Sequence, residues 1–154
     1  MDLNQKLSPH FTLRELTNSQ TATRHGIDNT PDEAALSNLK LICTNVLEPI
    51  RAHFGKPFTP SSGFRCLELN RKIGSKDTSQ HTLGQAVDIE VPGVSNFILA
   101  KWIEANLEYD QLILEHYKKG DPSSGWVHVS YKTNGRKFQT LTFNGKNYAR
   151  GLIG

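Results

Sequence analysis

Two histidines and one aspartate occur in contexts that suit a metal site. Asp88 lies within residues 85–91, whose alternating apolar pattern predicts a β-strand, and His128 lies within a second alternating segment, residues 126–131. A carboxylate and an imidazole inside strands need polar partners or solvent. His81 precedes Asp88 by seven residues, and the intervening loop is long enough to bring it back over the strand. The three side chains are therefore candidates for one cluster.

Two imidazoles and one carboxylate form a ligand set typical of catalytic zinc, which commonly keeps its fourth position for water. Zinc lowers the pKa of that water to roughly 7, and a nearby carboxylate then takes its proton. Glu115, at the end of the apolar segment 111–115, is the candidate base. Glu90 is the alternative, because it lies two residues after Asp88 and so on the same strand face. Arg65 could grip a substrate carboxylate or stabilise an oxyanion.

Each of these residues also has a purely structural interpretation. His81 could be a surface histidine, His128 a hydrogen-bonded core residue, and Asp88 a turn cap or the partner of a lysine. Arg65 could begin a helix, and Glu115 could be a solvated strand end. Spacing alone does not decide, since a histidine and an aspartate seven residues apart occur together by chance in many chains. The remaining histidines show no comparable arrangement: His10, His25, His53 and His116.

The length of 154 residues indicates a single domain over residues 1–154. The first 29 residues are polar and irregular apart from one short apolar cluster, and we interpret them as an arm packed on the domain. Helically spaced apolar residues predict a helix over 31–53. Its expected start is a capping box between Thr30 and Glu33, and a bend is expected near Pro49.

Shorter elements are predicted in the rest of the chain. Helices are expected over 66–73 and over 96–107, the second capped by Ser95. Its candidate packing residues are Phe97, Ile98, Trp102 and Ile103. Strands are expected over 85–91, 111–115, 126–131 and 138–143, with Asn144-Gly145 as a turn. Strands and helices do not alternate regularly, which favours an α+β fold with a small antiparallel sheet packed against helices.

Composition excludes several classes of protein. Apolar residues make up 36% of the chain, which argues against disorder. The net charge of +3 is too weak for a nucleic-acid binder, and no run approaches the ~18 apolar residues of a membrane helix. The N-terminus has no signal-peptide pattern, so we expect synthesis in the cytoplasm. The two cysteines, Cys43 and Cys66, are too few for a disulfide framework and are interpreted as thiols. We expect the protein to be a monomer.

Five motifs together resemble a known enzyme family. The most specific are SQHTLGQAVD over 79–88 and WVHVS over 126–130, supported by LSPHFTLREL over 7–16, SSGFR over 61–65 and QLILE over 111–115. They resemble the zinc D-Ala-D-Ala carboxypeptidase-like peptidases, which include bacteriophage endolysins. That group shares its metal site with lysostaphin-type peptidases and the hedgehog signalling domain.

The resemblance implies a role for each candidate residue. His81, Asp88 and His128 fall on the three zinc ligands of the family. Arg65 falls on an arginine associated with substrate or transition-state binding, and Ser79 on a serine close to the site and assigned to substrate binding.

One position departs from the family pattern. Several members carry the catalytic glutamate three residues before the last histidine ligand, where this chain has Gly125. Glu115 looks like the equivalent residue in this branch. The departure leaves the choice between Glu115 and Glu90 open at the level of sequence.

The implied activity is zinc-dependent hydrolysis of a peptide bond involving a D-amino acid in the peptidoglycan stem or cross-link. Such an enzyme would be a carboxypeptidase or an endopeptidase. An endolysin that acts on the cell wall after release, virus-encoded or virion-associated, would fit the expected lack of a signal peptide. The alternative is a non-catalytic protein on the same zinc-binding fold, which binds peptidoglycan or serves as a virion component.

Overall fold

The computed structural model describes residues 1–154, which form six α-helices and seven strands. The strands are β1 Lys6–Ser8, β2 Phe11–Thr12, β3 Ala86–Ile89, β4 Gln111–Glu115, β5 Trp126–Ser130, β6 Gln139–Phe143 and β7 Tyr148–Arg150. The helices are α1 Leu13–Thr17, α2 Gln20–His25, α3 Glu33–Ile42, α4 Glu48–Phe54, α5 Leu67–Lys72 and α6 Asn96–Asn106. A π-helical turn, Cys43–Leu47, joins α3 to α4, and a 3₁₀ turn, Gln80–Leu83, precedes β3.

A five-stranded sheet in the order β3-β5-β4-β6-β7 carries the predicted site. Its pairs are antiparallel except β4 and β6, which run parallel. The predicted α+β class with a small, mainly antiparallel sheet is confirmed. The parallel pair was not predicted, because the chain passes from β5 past β4 to reach β6, and no local sequence pattern indicates such a connection.

The two faces of the sheet differ in burial. Val87, Val127, Val129, Leu112 and Leu114 are all fully buried. They join the helical residues Leu39, Ile42, Ile50, Leu99 and Ile103 in one apolar core. The residues between them in sequence, including Asp88 and His128, project from the opposite face, which stays partly open. The alternation therefore separates a structural face from a face available for chemistry.

The long helix predicted over 31–53 is present, with two corrections. Its cap is Asp32, whose side chain accepts from the Ala35 amide, and Thr30 instead donates to Asp28. Pro49 has no amide hydrogen to donate, and the helix widens into the π-helical turn immediately before it. The expected bend near Pro49 thus takes the form of a local change in helix type.

The first 29 residues are more ordered than predicted. They form a small β1–β2 hairpin and two short helices, and Phe11, Leu13 and Leu16 are buried in the core. Thr12 caps α1 in a capping box with Glu15. The expected irregularity of this segment is wrong, because the caps Thr12 and Ser19 stabilise two short helices.

Glu48 fastens this arm to the long helix. Its carboxylate accepts hydrogen bonds from Ser8 Oγ at 2.6 Å and from the His10 amide at 2.8 Å, and it lies 2.7 Å from His10 Nδ1. Burial acts to raise the pKa of Glu48, but these hydrogen bonds outweigh it and lower the pKa. The ionised form is therefore the one that the folded state stabilises.

We expect Glu48→Gln to lower the free energy of unfolding at pH 7 by about 1–3 kcal/mol, the range for hydrogen bonds to a charged group. Because the folded-state pKa is lowered, this contribution is full above the ordinary value of about 4.3 and disappears as the pH falls through the folded-state pKa. Urea unfolding of both proteins at pH 7 and pH 3 measures the difference. An equal difference at the two pH values would contradict the role of the carboxylate.

Helix α6 matches the prediction except for one packing residue. Ser95 caps it by accepting from the Ile98 amide, and Ile103 is fully buried, but Ile98 is 56% exposed. Leu99 and Ala100 fill the core instead. No helix in the structure combines the length and apolarity needed to cross a membrane.

Candidate metal centre

The pairing of β3 with β5 places the first two candidate ligands side by side. Asp88 is the cross-strand partner of His128, and Asp88 Oδ1 lies 3.1 Å from His128 Nδ1. The 3₁₀ turn before β3 brings His81 to the same place, with Nε2 3.5 Å from Asp88 Oδ2. One potential ligand atom from each residue lies within 4.8 Å of the others. The expected cluster of His81, Asp88 and His128 therefore exists in the structure.

Backbone contacts fix the orientation of His81. Its Nδ1 lies 2.7 Å from the Gly63 carbonyl oxygen, to which a protonated Nδ1 donates. The Ser79 hydroxyl accepts from the His81 amide at 3.3 Å, and the Arg65 amide donates to the His81 carbonyl at 3.1 Å. A hydrogen bond from one ring nitrogen sets the tautomer and leaves the other nitrogen as the ligand atom. In His81 that atom is Nε2, which faces Asp88.

The electrostatics of the cluster favour a charged aspartate beside neutral imidazole. Burial acts to raise the pKa of Asp88, but hydrogen bonds to His128 and His81, and the charges these can carry, lower it well below its usual range. Burial lowers the pKa of His81. Metal ligands must be unprotonated, so both shifts move these groups toward the ligand form.

The donor set fits a zinc ion. Nitrogen and oxygen ligands at about 2.0–2.2 Å from a tetrahedral zinc lie roughly 3.3–3.6 Å from one another. The 3.5 Å separation of His81 from Asp88 agrees with that spacing, and the 3.1 Å separation of His128 from Asp88 is slightly shorter, as a direct hydrogen bond would be. Two nitrogens and one oxygen with an open side match the ligand pattern of catalytic zinc.

Glu115 lies on the same face of the sheet, at the end of β4. It pairs with Trp126, whose Nε1 donates to Glu115 Oε2 at 2.6 Å, and it lines the same cleft as the His-Asp-His cluster. Burial is the main cause of a raised pKa for Glu115, and the charge of Asp88 adds to it. A carboxyl group with a raised pKa is suited to accept a proton and return it.

The structure explains why position 125 carries no glutamate. Gly125 has a φ of +70°, and a Cβ there would collide with the Glu115 carbonyl oxygen and lie 2.7 Å from the His116 carbonyl carbon. Only glycine fits so close an approach in the left-handed region. The chain therefore cannot place a carboxylate at residue 125 without moving the end of β4, which supports the placement of the candidate base on β4 itself.

We expect Gly125→Ala to destabilise the protein by about 1–3 kcal/mol more than Gly135→Ala. Gly135 has nearly the same φ, +69°, but a Cβ there would meet no atom within 4 Å. Both substitutions cost about 1–2 kcal/mol for a left-handed residue, so their difference isolates the collision with Glu115. Urea unfolding curves give both values, and equal losses would show that the loop simply relaxes.

Glu90, the alternative base, lies outside the cleft. Strand β3 ends at Ile89, and the Glu90 carboxylate accepts a hydrogen bond from Asn96 Nδ2 at 3.1 Å. It is not among the residues that line the cleft of the cluster. Glu90 keeps the alternation, since Ile89 and Val91 on either side of it are buried in the core, but its carboxylate bonds Asn96 outside the cleft.

Arg65 lines the cleft from a loop that the N-terminal arm supports. Asn29 Nδ2 donates to the carbonyls of Thr17 and Phe64, both at 2.9 Å, and its Oδ1 accepts from the Cys66 amide at 2.8 Å. These bonds hold the loop on both sides of Arg65. Burial lowers the pKa of Arg65, although the negative charges of Asp88 and Glu115 act to raise it. The buried Nε of Arg65 has no hydrogen-bond partner. Arg65 thus keeps donor capacity for a ligand.

A cleft of about 380 Å³ contains every predicted site residue: Arg65, Ser79, His81, Asp88, Glu115 and His128. Sequence reasoning missed Gln111 and Ile113, although both lie an even number of residues from Glu115 and so on its strand face. It also missed Tyr148, which reaches the cleft only through the pairing of β7 with β6. Cys43 and Cys66 are free thiols that take no part in the cluster.

The cluster, the cleft and the motifs agree with a comparison against known protein families. The family described as Peptidase M15 matches residues 9–130. The chain belongs to the peptidase M15 family. This is a family of D-Ala-D-Ala carboxypeptidase-like zinc peptidases, so the resemblance seen in the sequence is confirmed. Membership in the M15 family supports a metallopeptidase that acts on peptidoglycan. No curated protein matches the chain.

The matched residues include all six predicted site residues of this M15 peptidase. They end at Ser130, the last residue of β5, and therefore exclude β6 and β7. The M15 match therefore does not extend to Tyr148, which forms part of the cleft wall.

Proposed function

We propose that the chain is a zinc-dependent peptidase that hydrolyses a D-amino-acid-containing bond of the peptidoglycan stem or cross-link. The observation that carries the proposal is the cluster of His81, Asp88 and His128 in one cleft with Glu115. In an antiparallel pair, residues on diagonal positions are about 7–8 Å apart. Glu115 is diagonal to His128, so its carboxylate can reach a water molecule or amine beside the cluster.

His81 Nε2, one oxygen of Asp88 and His128 Nδ1 would hold the zinc ion. When bound, zinc supplies a Lewis acid that polarises a carbonyl and makes a water molecule acidic at neutral pH. Glu115 accepts the proton of the attacking water and returns it to the departing amine. Trp126 donates a hydrogen bond to Oε2 of Glu115, so Oε1 is the oxygen that would carry the proton.

Arg65 binds the substrate on the other side of the cleft. Its guanidinium group offers a planar set of donors that matches a carboxylate, or the oxyanion that forms on the scissile carbonyl. Ser79 holds the turn that carries His81 and presents its hydroxyl to the same cleft, where it can contact the substrate. Both residues keep the reacting carbonyl in place beside Glu115.

Space on both sides of Arg65 favours an internal bond over a terminal one. Arg65 also lines a second cleft, of about 460 Å³, formed with the α1–α2 loop and residues 60–64. A carboxypeptidase needs no room beyond the group that clamps the terminal carboxylate. A substrate chain that continues past Arg65 has room here, so we propose endopeptidase cleavage of the stem or cross-link.

Product analysis tests this function. The protein, loaded with one zinc per chain, is incubated with purified cross-linked peptidoglycan, and the soluble products are identified by mass spectrometry. We expect cross-linked fragments to be converted to shorter peptides with new amino termini. Release of terminal D-Ala alone would replace the endopeptidase with a carboxypeptidase. Intact peptidoglycan with zinc bound would favour the non-catalytic wall-binding alternative.

The endolysin role stays a prediction, which lysis of bacteria on co-expression with a holin would test.

A further inference from the structure

Aromatic side chains extend the reactive face across the sheet. Glu115 pairs with Trp126 in one neighbouring strand and with Phe143 in the other, and Phe143 pairs with Tyr148. Partners at the same register position project to the same face. The His116 ring stacks on Trp126 at 4.9 Å and meets the edge of Phe143 at 5.4 Å. We call His116, Trp126, Phe143 and Tyr148 the aromatic row.

Tyr148 is the outermost member of the aromatic row and the one most open to a ligand. It is 57% exposed and lines the metal cleft. Phe143 stacks on one face of its ring, with centroids 4.4 Å apart and planes 28° apart. A cross-strand aromatic pair of this kind stabilises a hairpin, and here it also fixes the orientation of the outer ring. Tyrosine held in this way gives a rigid contact surface at low entropic cost.

Neutral amide groups lie on the same face, about 13 Å farther along the strands than the aromatic row, at four residues of strand rise. Gln111 and Gln139 pair across β4 and β6 on the same face, and Gln111 Nε2 donates to Gln139 Oε1 at 2.8 Å. Gln111 also lines the cleft. Amide groups donate and accept hydrogen bonds without charge, which suits hydroxyl and acetamido groups. A flat exposed aromatic surface binds sugar rings, because one face of a pyranose presents apolar C–H groups. The amides farther along the cleft suit the polar groups of a neighbouring sugar in the same strand.

We propose that Tyr148, supported by Phe143, forms a subsite for a pyranose ring of the glycan strand that carries the stem peptide. The inference rests on the proposed function, because it takes the cleft as the site of the peptide. The subsite is continuous with Glu115 through the aromatic row, so one substrate can occupy both. Residues 139–150 supply it, beyond the residues that match the family.

Kinetics on a matched pair of substrates test the subsite. One is a cross-linked stem peptide without sugars, and the other is the same peptide carrying its disaccharides. We expect Tyr148→Ala to lower kcat/KM about tenfold on the glycosylated substrate, comparable to the loss of one aromatic stacking contact, and to leave the free peptide unaffected. Tyr148→Phe keeps the ring and should keep the activity. Phe138→Ala removes another exposed aromatic residue, outside the cleft, and should change neither rate.

Equal losses on both substrates would overturn the subsite, since a general weakening of the hairpin would affect the free peptide as well. The charged residue on the same face, Arg150, provides a further discrimination. If Arg150→Ala reduced activity on the glycosylated substrate while Tyr148→Ala did not, the face would bind an acidic group instead of a sugar, and the proposal would be wrong.

Binding to glycan strands stripped of their stem peptides separates this proposal from the peptidase activity. Zinc-loaded wild-type protein is expected to co-sediment with these strands, and the Tyr148→Ala variant is expected to stay in solution. Failure of the wild type to bind would overturn the subsite while the product analysis of cross-linked peptidoglycan still stands. If the product analysis showed no cleavage, the peptidase proposal would be wrong. Binding of the wild type to the stripped glycan strands would then still report on the sugar subsite by itself.

Discussion

Replacing His128 with alanine is expected to remove bound zinc and peptidase activity together. His128 would supply one of three ligands, and Asp88 would lose its cross-strand partner at 3.1 Å. Loss of an outer hydrogen-bond partner alone costs about 10–100-fold in metal affinity, so loss of a ligand should cost more than about 100-fold. Elemental analysis of dialysed protein and cleavage of peptidoglycan, measured on the same samples, give both quantities.

His53→Ala is the matched control, because His53 is exposed on α4 and its ring stacks on Trp102, outside the cluster. This variant should keep one zinc per chain and full activity. Circular dichroism of both variants checks the fold, since His128 lies in β5, an interior strand of the sheet. A folded His128→Ala protein that keeps stoichiometric zinc would refute the assignment of the ligands.

Glu115→Gln is expected to reduce kcat by about 10²–10⁴-fold while zinc stays bound. Glutamine has nearly the same shape and can still accept the hydrogen bond from Trp126 Nε1, but it cannot take a proton from water. The structure of the cleft should therefore survive while proton transfer is lost. Steady-state kinetics on a defined stem peptide, with zinc content measured in parallel, separate these two effects.

Glu90→Gln provides the comparison for this second prediction. Glu90 is exposed and bonded to Asn96, outside the cleft, so its replacement should change kcat by less than about twofold and leave zinc content unchanged. The opposite pattern, with Glu90→Gln inactive and Glu115→Gln active, would transfer the role of base to Glu90. Loss of zinc from Glu115→Gln would instead show that Glu115 supports the metal.

The sequence predicted those parts of the structure that depend on local patterns. The Ser95 cap begins α6, and the alternation around His128 appears as β5. The capping box formed by Thr12 and Glu15 was also visible in the sequence, but the polar composition of the arm concealed the short helix that follows it. A capping box marks the start of a helix even where the surrounding composition is polar.

The position of the catalytic candidates could be predicted only in part. Residue types and family motifs indicated His81, Asp88 and His128, but the facing of Asp88 and His128 depends on strand register, which is a tertiary property. The choice between Glu115 and Glu90 depends on which carboxylate lines the cleft, and the bond of Glu90 to Asn96 that holds it elsewhere is a tertiary contact with no local signal. Tyr148 reaches the cleft through β4, β6 and β7 in turn, so no local signal places it there.

The interior position of β5, between β3 and β4, has a consequence for folding. Its partner β3 lies about forty residues earlier in the chain, so the pairing of Asp88 with His128 closes a long loop and is expected to be slow. A nascent chain therefore has no complete ligand set until this pairing forms. Zinc bound as proposed would bind only the folded chain, and at 100 times its Kd it would add about 2.7 kcal/mol to the unfolding free energy. Zinc depletion should then lower the melting temperature as well as the rate of hydrolysis.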